Sequence, residues 1–274
     1  MSDIDYLSWN DLHERGGIPL AIARKIVGEK RGRDNAQLSA ALKTPPPPFI
    51  SSNTFRSPAD TMMYLNEIGL TRGDRPSGTI FMSSVLAGSF LSWGCTGYVF
   101  LAGNTAPFFS AVPGFESVAC SLIFPMGLAA IILSGVDLLT STMMYTSLPI
   151  VSGDQRRESN EKWASLARLW GISLAGNIVG CGTMALATSY LLPSSALSFA
   201  AALAVKKTSF TLTLTTVKAI GANWLVNLAV YQAATAITSP GKIVLLWLPI
   251  SLFVSCGLEH SVANMYLLPL GILG

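Results

Sequence analysis

Two stretches of the chain carry the same pattern of residues: SGVDLLTSTM at 134–143 and CGLEHSVANM at 256–265. Each contains a glycine followed two positions later by an acid, and each lies inside a long apolar run, at 117–150 and at 243–274. Unwound backbone is tolerated in lipid only where protein or a water-lined cavity satisfies its polar groups. The repeat therefore predicts two broken transmembrane helices, as found in channels and transporters.

A constant offset of 122 residues (257 − 135) relates the two stretches and places Gly135 on Gly257 and Asp137 on Glu259. Glycine allows the chain to bend, and a carboxylate can accept hydrogen bonds from unwound N–H groups. We expect the two carboxylates at the helix breaks, where they either take part in the site or only tie the broken backbone together.

The composition agrees with an all-α integral membrane protein that spans the membrane several times. Half of the 274 residues are hydrophobic and 12% are charged, whereas soluble domains carry about a quarter charged residues. The net charge of +3 is too small to indicate a nucleic-acid partner. The four cysteines have no paired spacing, so we expect no metal site, and nothing in the sequence calls for a cofactor.

Charged residues are concentrated at the start of the chain, where 10 of the 18 basic and 9 of the 15 acidic residues precede Pro76. Residues 1–56, which include a run of four prolines, are predicted to be a disordered or regulatory extension. Residues 57–76 are predicted to form an amphipathic helix on the membrane surface, because their Ser-Pro start is typical of a helix N-terminus. Residues 77–274 would then form the transmembrane channel domain.

Apolar segments predict five crossings, at 78–101, 117–150, 169–192, 208–237 and 243–274. The stretch 103–114 is predicted to be a loop. A cytoplasmic N-terminus places 15 basic residues inside (10 + 4 + 1) and 2 outside, as the positive-inside rule requires. The two halves are then inverted copies, and we expect the plasma membrane rather than an organelle. Adding 122 to the third crossing puts its partner beyond Gly274, so we expect five crossings of six.

Five motifs follow one another between Ser57 and Gly274: FPMGL at 124–128, GVDLLT at 135–140, GNIVG at 176–180, NWLV at 223–226 and GLEHSVANM at 257–265. Together they resemble the formate/nitrite transporter family. The resemblance implies an aquaporin-like inverted repeat of six helices and two broken ones, assembled as a homopentamer with a pore in each protomer. It also implies that small monovalent anions are carried: formate, nitrite, lactate, acetate or hydrosulfide.

The same resemblance implies a substrate path through five polar residues, namely His260, Thr140, Asn223, Asn264 and Lys207. His260 would be the central pore histidine, with Thr140 opposite it and the two asparagines supplying amide donors. Lys207 would be a vestibule cation, a role that its neighbour Lys206 could share.

Two apolar constrictions are also implied by the resemblance. It places Phe124, Leu128 and Leu138 in one constriction, and Phe253 and Val226 in the other. A bare anion cannot pass such a slit, because its desolvation costs far more than thermal energy.

These residues predict proton-coupled transport of small weak-acid anions rather than an enzyme. A vestibule cation concentrates anions, and a low dielectric favours the neutral acid, which can cross after taking up a proton. The partners would be a small monocarboxylate or nitrite, a proton and membrane lipid. His260 either donates that proton or stays neutral and orients the substrate. The alternative is a truncated, non-transporting paralogue that joins such pentamers, since the sixth helix is missing from the sequence.

Overall fold

The computed structural model describes residues 54–109, 112–154, 156 and 158–274. Within these residues the chain is helical, and the only β-pairing is an isolated bridge between Phe55 and Ala236. The all-α class is therefore confirmed. The extension predicted for residues 1–56 lies almost wholly outside the described residues.

The described residues form ten α-helices. In chain order they are α1 (Pro58–Gly73), α2 (Ser77–Phe109), α3 (Pro113–Ser121), α4 (Pro125–Ser134), α5 (Leu139–Val151), α6 (Ser159–Ser189), α7 (Ser194–Thr208), α8 (Leu212–Thr235), α9 (Ser239–Ser255) and α10 (Ser261–Leu273).

Both predicted helix breaks are present, and they fall at equivalent places. The first separates α4 from α5 at Gly135, whose φ is +69°, and the second separates α9 from α10 at Gly257, whose φ is +60°. Side chains with a Cβ rarely adopt this left-handed conformation, which is why glycine stands at both turns. The half-helices after the breaks are each 13 residues long, and their first residues, Leu139 and Ser261, are 122 residues apart (261 − 139).

The first broken helix has an additional interruption that the sequence analysis did not predict. The apolar run at 117–150 turns at residues 122–124, between α3 and α4. Pro125 then starts α4, and a proline suits this position because its missing N–H would have no partner in the first turn. The turn places Phe124 at the end of a helix rather than within one.

The prediction of a loop at 103–114 was wrong over much of its length, because α2 continues to Phe109. The continuation packs against α7, a helix that was not predicted. A Cβ on Gly103 would lie 2.5 Å from the Cα of Ala196, so only glycine permits this approach. Because α7 buries only small side chains, every fourth residue from Ala196 to Ala204, its sequence does not resemble a membrane crossing.

Three segments are long and apolar enough to cross a membrane by length and composition: Ser77–Thr105, Gly114–Ser134 and Ser159–Ser189. The helices α9 and α10 are apolar but shorter. The predicted fourth crossing corresponds to α8, which is not among the three segments found in the described part of the chain. Its first half contains Lys218 and three threonines, which lower its hydropathy.

The range 57–76, predicted as an amphipathic helix on the membrane surface, contains the helix α1, which packs against the half-helix α5; its place on the membrane surface stays a prediction. Ser57 caps it, because the Asp60 N–H donates to the Ser57 hydroxyl over 3.1 Å. A Cβ on Gly69 would lie 2.1 Å from the carbonyl oxygen of Tyr145. The two helices therefore touch backbone to backbone, and α1 is held on the segment that follows the first break.

Candidate functional site

The two helix breaks meet at a hydrogen bond between Thr140 and His260. Thr140 is in the first turn of α5, and His260 is the residue that caps α10. The Thr140 Oγ1 and the His260 Nε2 are 3.0 Å apart, and both residues are buried. The N-terminal ends of two half-helices thus come together at one place, where their partial positive charges favour an anion.

The hydrogen bonds of His260 fix which of its nitrogens carries the proton. The backbone N–H of Ala263 lies 3.1 Å from the His260 Nδ1, and because an amide N–H can only donate, Nδ1 must accept. The neutral ring then carries its proton on Nε2 and donates it to the Thr140 hydroxyl oxygen. The hydroxyl hydrogen of Thr140 remains free to donate elsewhere. Protonation of Nδ1 would remove the hydrogen bond that caps α10.

A cavity of about 50 Å³ lies beside His260, with room for a few water-sized groups. Its lining includes the polar residues His260 and Lys207, and its remaining walls are mainly apolar or aromatic. They are formed by Tyr98, Phe124, Leu203, Phe253, Val254, Gly257, Leu258, Ala263 and Leu267. Such a site suits a ligand of a few heavy atoms that carries a single polar group.

Two aromatic rings form one wall of this cavity. The rings of Phe124 and Phe253 meet edge to face, with centroids 5.5 Å apart and planes at 79°, a favourable arrangement for an aromatic pair. The Phe253 ring is also 5.8 Å from the ring of His260. A pair of apolar aromatic rings therefore lies directly next to the histidine.

The resemblance had assigned these two phenylalanines to different constrictions, and the structure groups them differently. Phe124 reaches Phe253 because it lies in the turn between α3 and α4, and α9 packs on both of these helices. The three remaining apolar residues, Leu128, Leu138 and Val226, are each at most 2% exposed and belong to the main buried cluster.

Lys207 is half of a nearly buried ion pair rather than a free cation. Its Nζ lies 2.9 Å and 3.0 Å from the two carboxylate oxygens of Glu259, and the two side chains are only 11% and 5% exposed. Asn264 donates from Nδ2 to the same carboxylate over 2.8 Å. Glu259 and Lys207 thus neutralise each other, and Lys207 also lines the cavity beside His260.

The two candidate asparagines have different environments. Asn264 is held by Glu259, and its Oδ1 is buried without a partner among the described residues. Asn223 is half-buried on α8 and donates from Nδ2 to the Ala219 carbonyl of its own helix over 2.9 Å. Asn223 is not among the described residues that line the cavity beside His260.

The carboxylate of the first break is fully buried and is paired with two arginines. Arg72 and Arg75 form ion pairs with opposite oxygens of Asp137, the second at 3.0 Å. Arg72 also donates to the carbonyl oxygens of Gly135 and Val136, over 3.0 Å and 3.2 Å. The last turn of α1 therefore satisfies the unwound backbone of this break, and Asp137 holds the arginine in place.

The GNIVG motif holds the same break from the other side. The Asn177 Oδ1 accepts from the Leu139 N–H over 2.9 Å, while its Nδ2 donates to the Asp137 carbonyl over 3.2 Å and to a carbonyl of α2 over 2.7 Å. A Cβ on Gly180 would lie 2.1 Å from the Val85 carbonyl oxygen. The motif's glycine therefore lets α6 approach α2 closely, which brings Asn177 to the break.

The sequence analysis missed four residues that provide hydrogen bonds or a counter-charge to polar groups at the two breaks: Arg72, Arg75, Asn177 and Lys218. Lys218 donates to the Gly257 carbonyl over 2.9 Å, as Arg72 does for Gly135. One signal was present, because a lone acid inside an apolar run requires a cation, and cations are scarce after residue 76.

A polar cluster outside the membrane-spanning segments joins α1 to the segment after α5. Arg156 pairs with Asp154 over 2.8 Å and with Glu67 over 2.7 Å, and Asn66 donates to Asp154 over 2.8 Å. The hydrogen bonds from Arg156 lower the pKa of the Asp154 carboxyl well below its usual value. In the described part of the chain, no three side chains of histidine, cysteine, aspartate or glutamate group as metal ligands would.

The family model and the relatives described below all point to the same family. The family model for the formate/nitrite transporter matches residues 59–274. A probable formate transporter of Methanothermobacter thermautotrophicus is 32% identical over 240 residues, which is 80% of this chain and 84% of the relative. The nitrite transporter NirC of Salmonella typhimurium is 30% identical over 71% of this chain and 68% of its own length. The formate channel FocA of Escherichia coli is 28% identical, over 78% and 74%.

Solved structures show the same fold. A pentameric formate channel with formate bound superposes with a TM-score of 0.63 at 24% identity, covering 72% of this chain and 75% of that one. An FNT family ion channel superposes with a TM-score of 0.64 at 26% identity, covering 79% and 82%. These relatives are channels and transporters, not enzymes. The chain therefore belongs to the formate/nitrite transporter family of integral membrane proteins.

Proposed function

We propose that this chain conducts small weak-acid anions, such as formate and nitrite, across a membrane, and that the anion takes up a proton on the way. The observation that carries the proposal is the neutral His260–Thr140 pair, where two half-helix N-termini meet. This pair offers polar contacts to a small ligand immediately beside the apolar ring pair of Phe124 and Phe253. The relatives named for formate and nitrite support this choice of substrates.

Proton uptake follows from the physical properties of the path. An anion loses its hydration on entering the small cavity beside Phe124 and Phe253, and desolvation shifts the equilibrium toward the neutral acid. A weak acid can follow this route, whereas chloride, the anion of a strong acid, cannot. The bonds of His260 favour orientation over proton donation, because its Nδ1 accepts from Ala263 and cannot carry a proton without losing the cap. Water is then the source of the proton.

Assembly and placement in the membrane complete the proposal. The solved relative is pentameric, and we propose a homopentamer with lipid around it. Large apolar side chains such as Trp224 and Leu248 are about three-quarters exposed in the single chain, as lipid or neighbouring subunits require. We place the N-terminus and the basic segment 156–168 in the cytoplasm by the positive-inside rule, and the protein in the plasma membrane. The boundaries at residues 57 and 77 stay predictions.

The test measures uptake of labelled formate and nitrite into proteoliposomes that contain the full chain. We expect uptake to rise as the external pH falls and chloride flux to be absent. The variant His260→Ala removes a buried hydrogen-bond partner, worth about 1–3 kcal/mol, so we expect uptake to fall about tenfold. The matched control His13→Asn changes the other histidine of the chain and should leave uptake unchanged.

Two results would contradict the proposal. Uptake that does not respond to the proton gradient would exclude proton coupling. Assembled pentamers without any flux would support the alternative of a non-transporting subunit.

A further inference from the structure

Two serine side chains, one at the end of α3 and one at the end of α9, form a hydrogen bond that the proposed function does not use. The Oγ atoms of Ser121 and Ser255 are 2.6 Å apart, and each residue is the last of its helix. We call these two residues the serine pair. A further contact supports this approach of the helices, because Ser117, one turn earlier on α3, has its Oγ 3.5 Å from the Ser255 carbonyl oxygen.

Each hydroxyl of the serine pair has one hydrogen and a second acceptor within reach on its own helix. The Ser255 Oγ lies 2.8 Å from the Ser251 carbonyl oxygen, and the Ser121 Oγ lies 2.7 Å from the Val118 carbonyl oxygen. One serine therefore donates to the other, which donates to its own helix. When the pair separates, each hydroxyl still has an acceptor on its own helix. The bond can thus open without leaving a buried donor unsatisfied.

The serine pair is close in sequence to the two phenylalanines beside His260. Phe124 follows Ser121 by three residues, and Phe253 precedes Ser255 by two. The two rings have centroids 5.5 Å apart, and the Phe253 ring is 5.8 Å from the ring of His260. At the first of these separations, two aromatic rings are in contact. The hydrogen bond between the helix ends therefore holds together the backbone segments that carry both rings.

The two sides of this ring pair differ in how firmly the backbone is held. A Cβ on Gly94 would lie 2.5 Å from the Phe124 carbonyl oxygen, so the backbone at Phe124 packs directly on α2. By contrast, Phe253 lies between Pro249, which is inside α9, and Gly257, whose φ is +60°. A proline removes one backbone hydrogen bond of its helix, and a glycine tolerates changes in its backbone angles. Phe253 is therefore on the more deformable segment.

We propose that the serine pair positions the aromatic contact beside His260, and that an acid passes when Phe253 moves away from Phe124. The inference rests on the proposed transport function and deepens it by naming the residues that set the size of the acid admitted. A larger acid requires a larger displacement of Phe253, which breaks the bond of the serine pair. A neutral hydrogen bond is weak in net terms, and it shifts the ratio of closed to open arrangements about two- to tenfold.

The first test replaces the hydrogen bond by a covalent bond. The background is the full chain with Cys120→Ala and Cys256→Ala, which lacks the two native thiols next to the pair. Ser121→Cys and Ser255→Cys are then introduced together. Oxygen atoms 2.6 Å apart place the two sulfurs close to the S–S bond length of about 2.05 Å, so oxidation should form a disulfide. Formate uptake into proteoliposomes should then fall about tenfold, because the rings can no longer separate, and return after reduction.

The single variant Ser121→Cys in the same background is the matched control, and its uptake should not respond to oxidation. The loss of two titratable thiols measures the extent of cross-linking. Undiminished uptake by fully cross-linked protein would overturn the proposal. Failure of the disulfide to form would overturn it as well, because the two helix ends would then not meet.

The second test removes the hydrogen bond and measures size selectivity. Uptake of butyrate relative to formate should rise about two- to tenfold in Ser255→Ala and in Ser121→Ala, because the closed arrangement loses its bond. The double variant should give the same ratio as either single variant, since each loses the same bond. A ratio of two substrates does not depend on the amount of assembled protein, so a loss of stability alone would leave it unchanged.

The matched control for this test is Ser134→Ala. Ser134 is the last residue of α4, before the first break, and its hydroxyl donates to the Ala130 carbonyl of the same helix over 2.6 Å. This variant should keep the wild-type ratio. Formate uptake by the wild type tests the proposed function separately. If the wild type transports formate, equal ratios in Ser255→Ala and Ser134→Ala would overturn the role of the serine pair alone.

Discussion

The two helix breaks have nearly the same sequence pattern but different surroundings. At the first, the Asp137 carboxylate is fully buried and its oxygens are taken by Arg72 and Arg75. At the second, Glu259 is paired with Lys207, and that lysine lines the cavity beside His260. The repeated acid is therefore enclosed by two arginines at one break, and at the other it is paired with a lysine that lines a ligand-sized cavity.

The difference arises from what packs against each half. The first break is covered by α1, whose last turn supplies an arginine to the unwound carbonyls of Gly135 and Val136. At the second break, Lys218 of α8 contacts the Gly257 carbonyl, and α7 brings Lys207 to the acid. A duplicated pattern can thus keep its backbone geometry while its side chains take on separate roles.

The largest expected effect is on stability at the first break. Asp137→Asn leaves two arginines without a counter-ion, one of them only 12% exposed, and breaking a buried pair costs about 3–5 kcal/mol. Glu259→Gln should destabilise less, because water in the adjoining cavity can solvate Lys207, and should instead alter formate uptake. Thermal unfolding of the detergent-solubilised protein, with the exposed Glu161→Gln as control, measures the first effect. Equal destabilisation by both variants would remove the distinction between the breaks.

A smaller effect is expected from the asparagines near the breaks. Asn177→Ala removes the partner of three backbone groups at or beside the first break, at a cost of about 1–3 kcal/mol for an unsatisfied buried group. Asn264→Ala removes one hydrogen bond, to Glu259, and should lower the unfolding temperature less. The same unfolding assay compares them, and a larger shift for Asn264→Ala would show that the second break depends more on its side chains.

The smallest effect is expected where α1 meets the segment after α5, away from both breaks. The Asp154 pKa is lowered by Arg156, so its ionised form stabilises the fold at every pH above its unfolded pKa of about 3.9. This contribution should be constant between pH 7 and pH 5 and decline below about pH 4, as the pH falls toward the folded pKa.

Unfolding temperatures of the wild type and of Asp154→Asn measure this contribution across the pH range. The two should differ by less than about 1 kcal/mol in stability at pH 7 and converge in acid. A difference that grows as the pH falls would contradict the assigned direction of the shift.

Much of the architecture was predictable because backbone conformation depends on local sequence. Glycine at 135 and 257 marked both breaks, and the starts of α5 and α10 keep the same offset of 122 residues. The short helix α7 was not predicted, since it buries alanines that give little hydrophobic contrast. The extension of α2 was missed because Gly103 and its neighbours indicate a loop until α7 is present to pack against them.

Contacts between residues that are far apart in the sequence were harder to predict than the positions of helices and turns along the chain. The residues at the centre, His260 and Thr140, came from a family resemblance, and the structure places them 3.0 Å apart. The pairing of Lys207 with Glu259, and of Phe124 with Phe253, could not be read from sequence spacing. Each pair joins helices whose relative position is set by packing.

The sequence by itself determined the class of protein, the two helix breaks and their repeat, because hydropathy and glycine placement act locally on the backbone. Only the tertiary structure decided which cation each buried acid receives and which of those cations lines a cavity. A buried carboxylate is stable beside whichever cation the packed helices bring within a few ångströms. That distance is a property of the whole fold. Because of it, Asp137 is enclosed by two arginines, whereas Glu259 is paired with a lysine that lines the cavity beside His260.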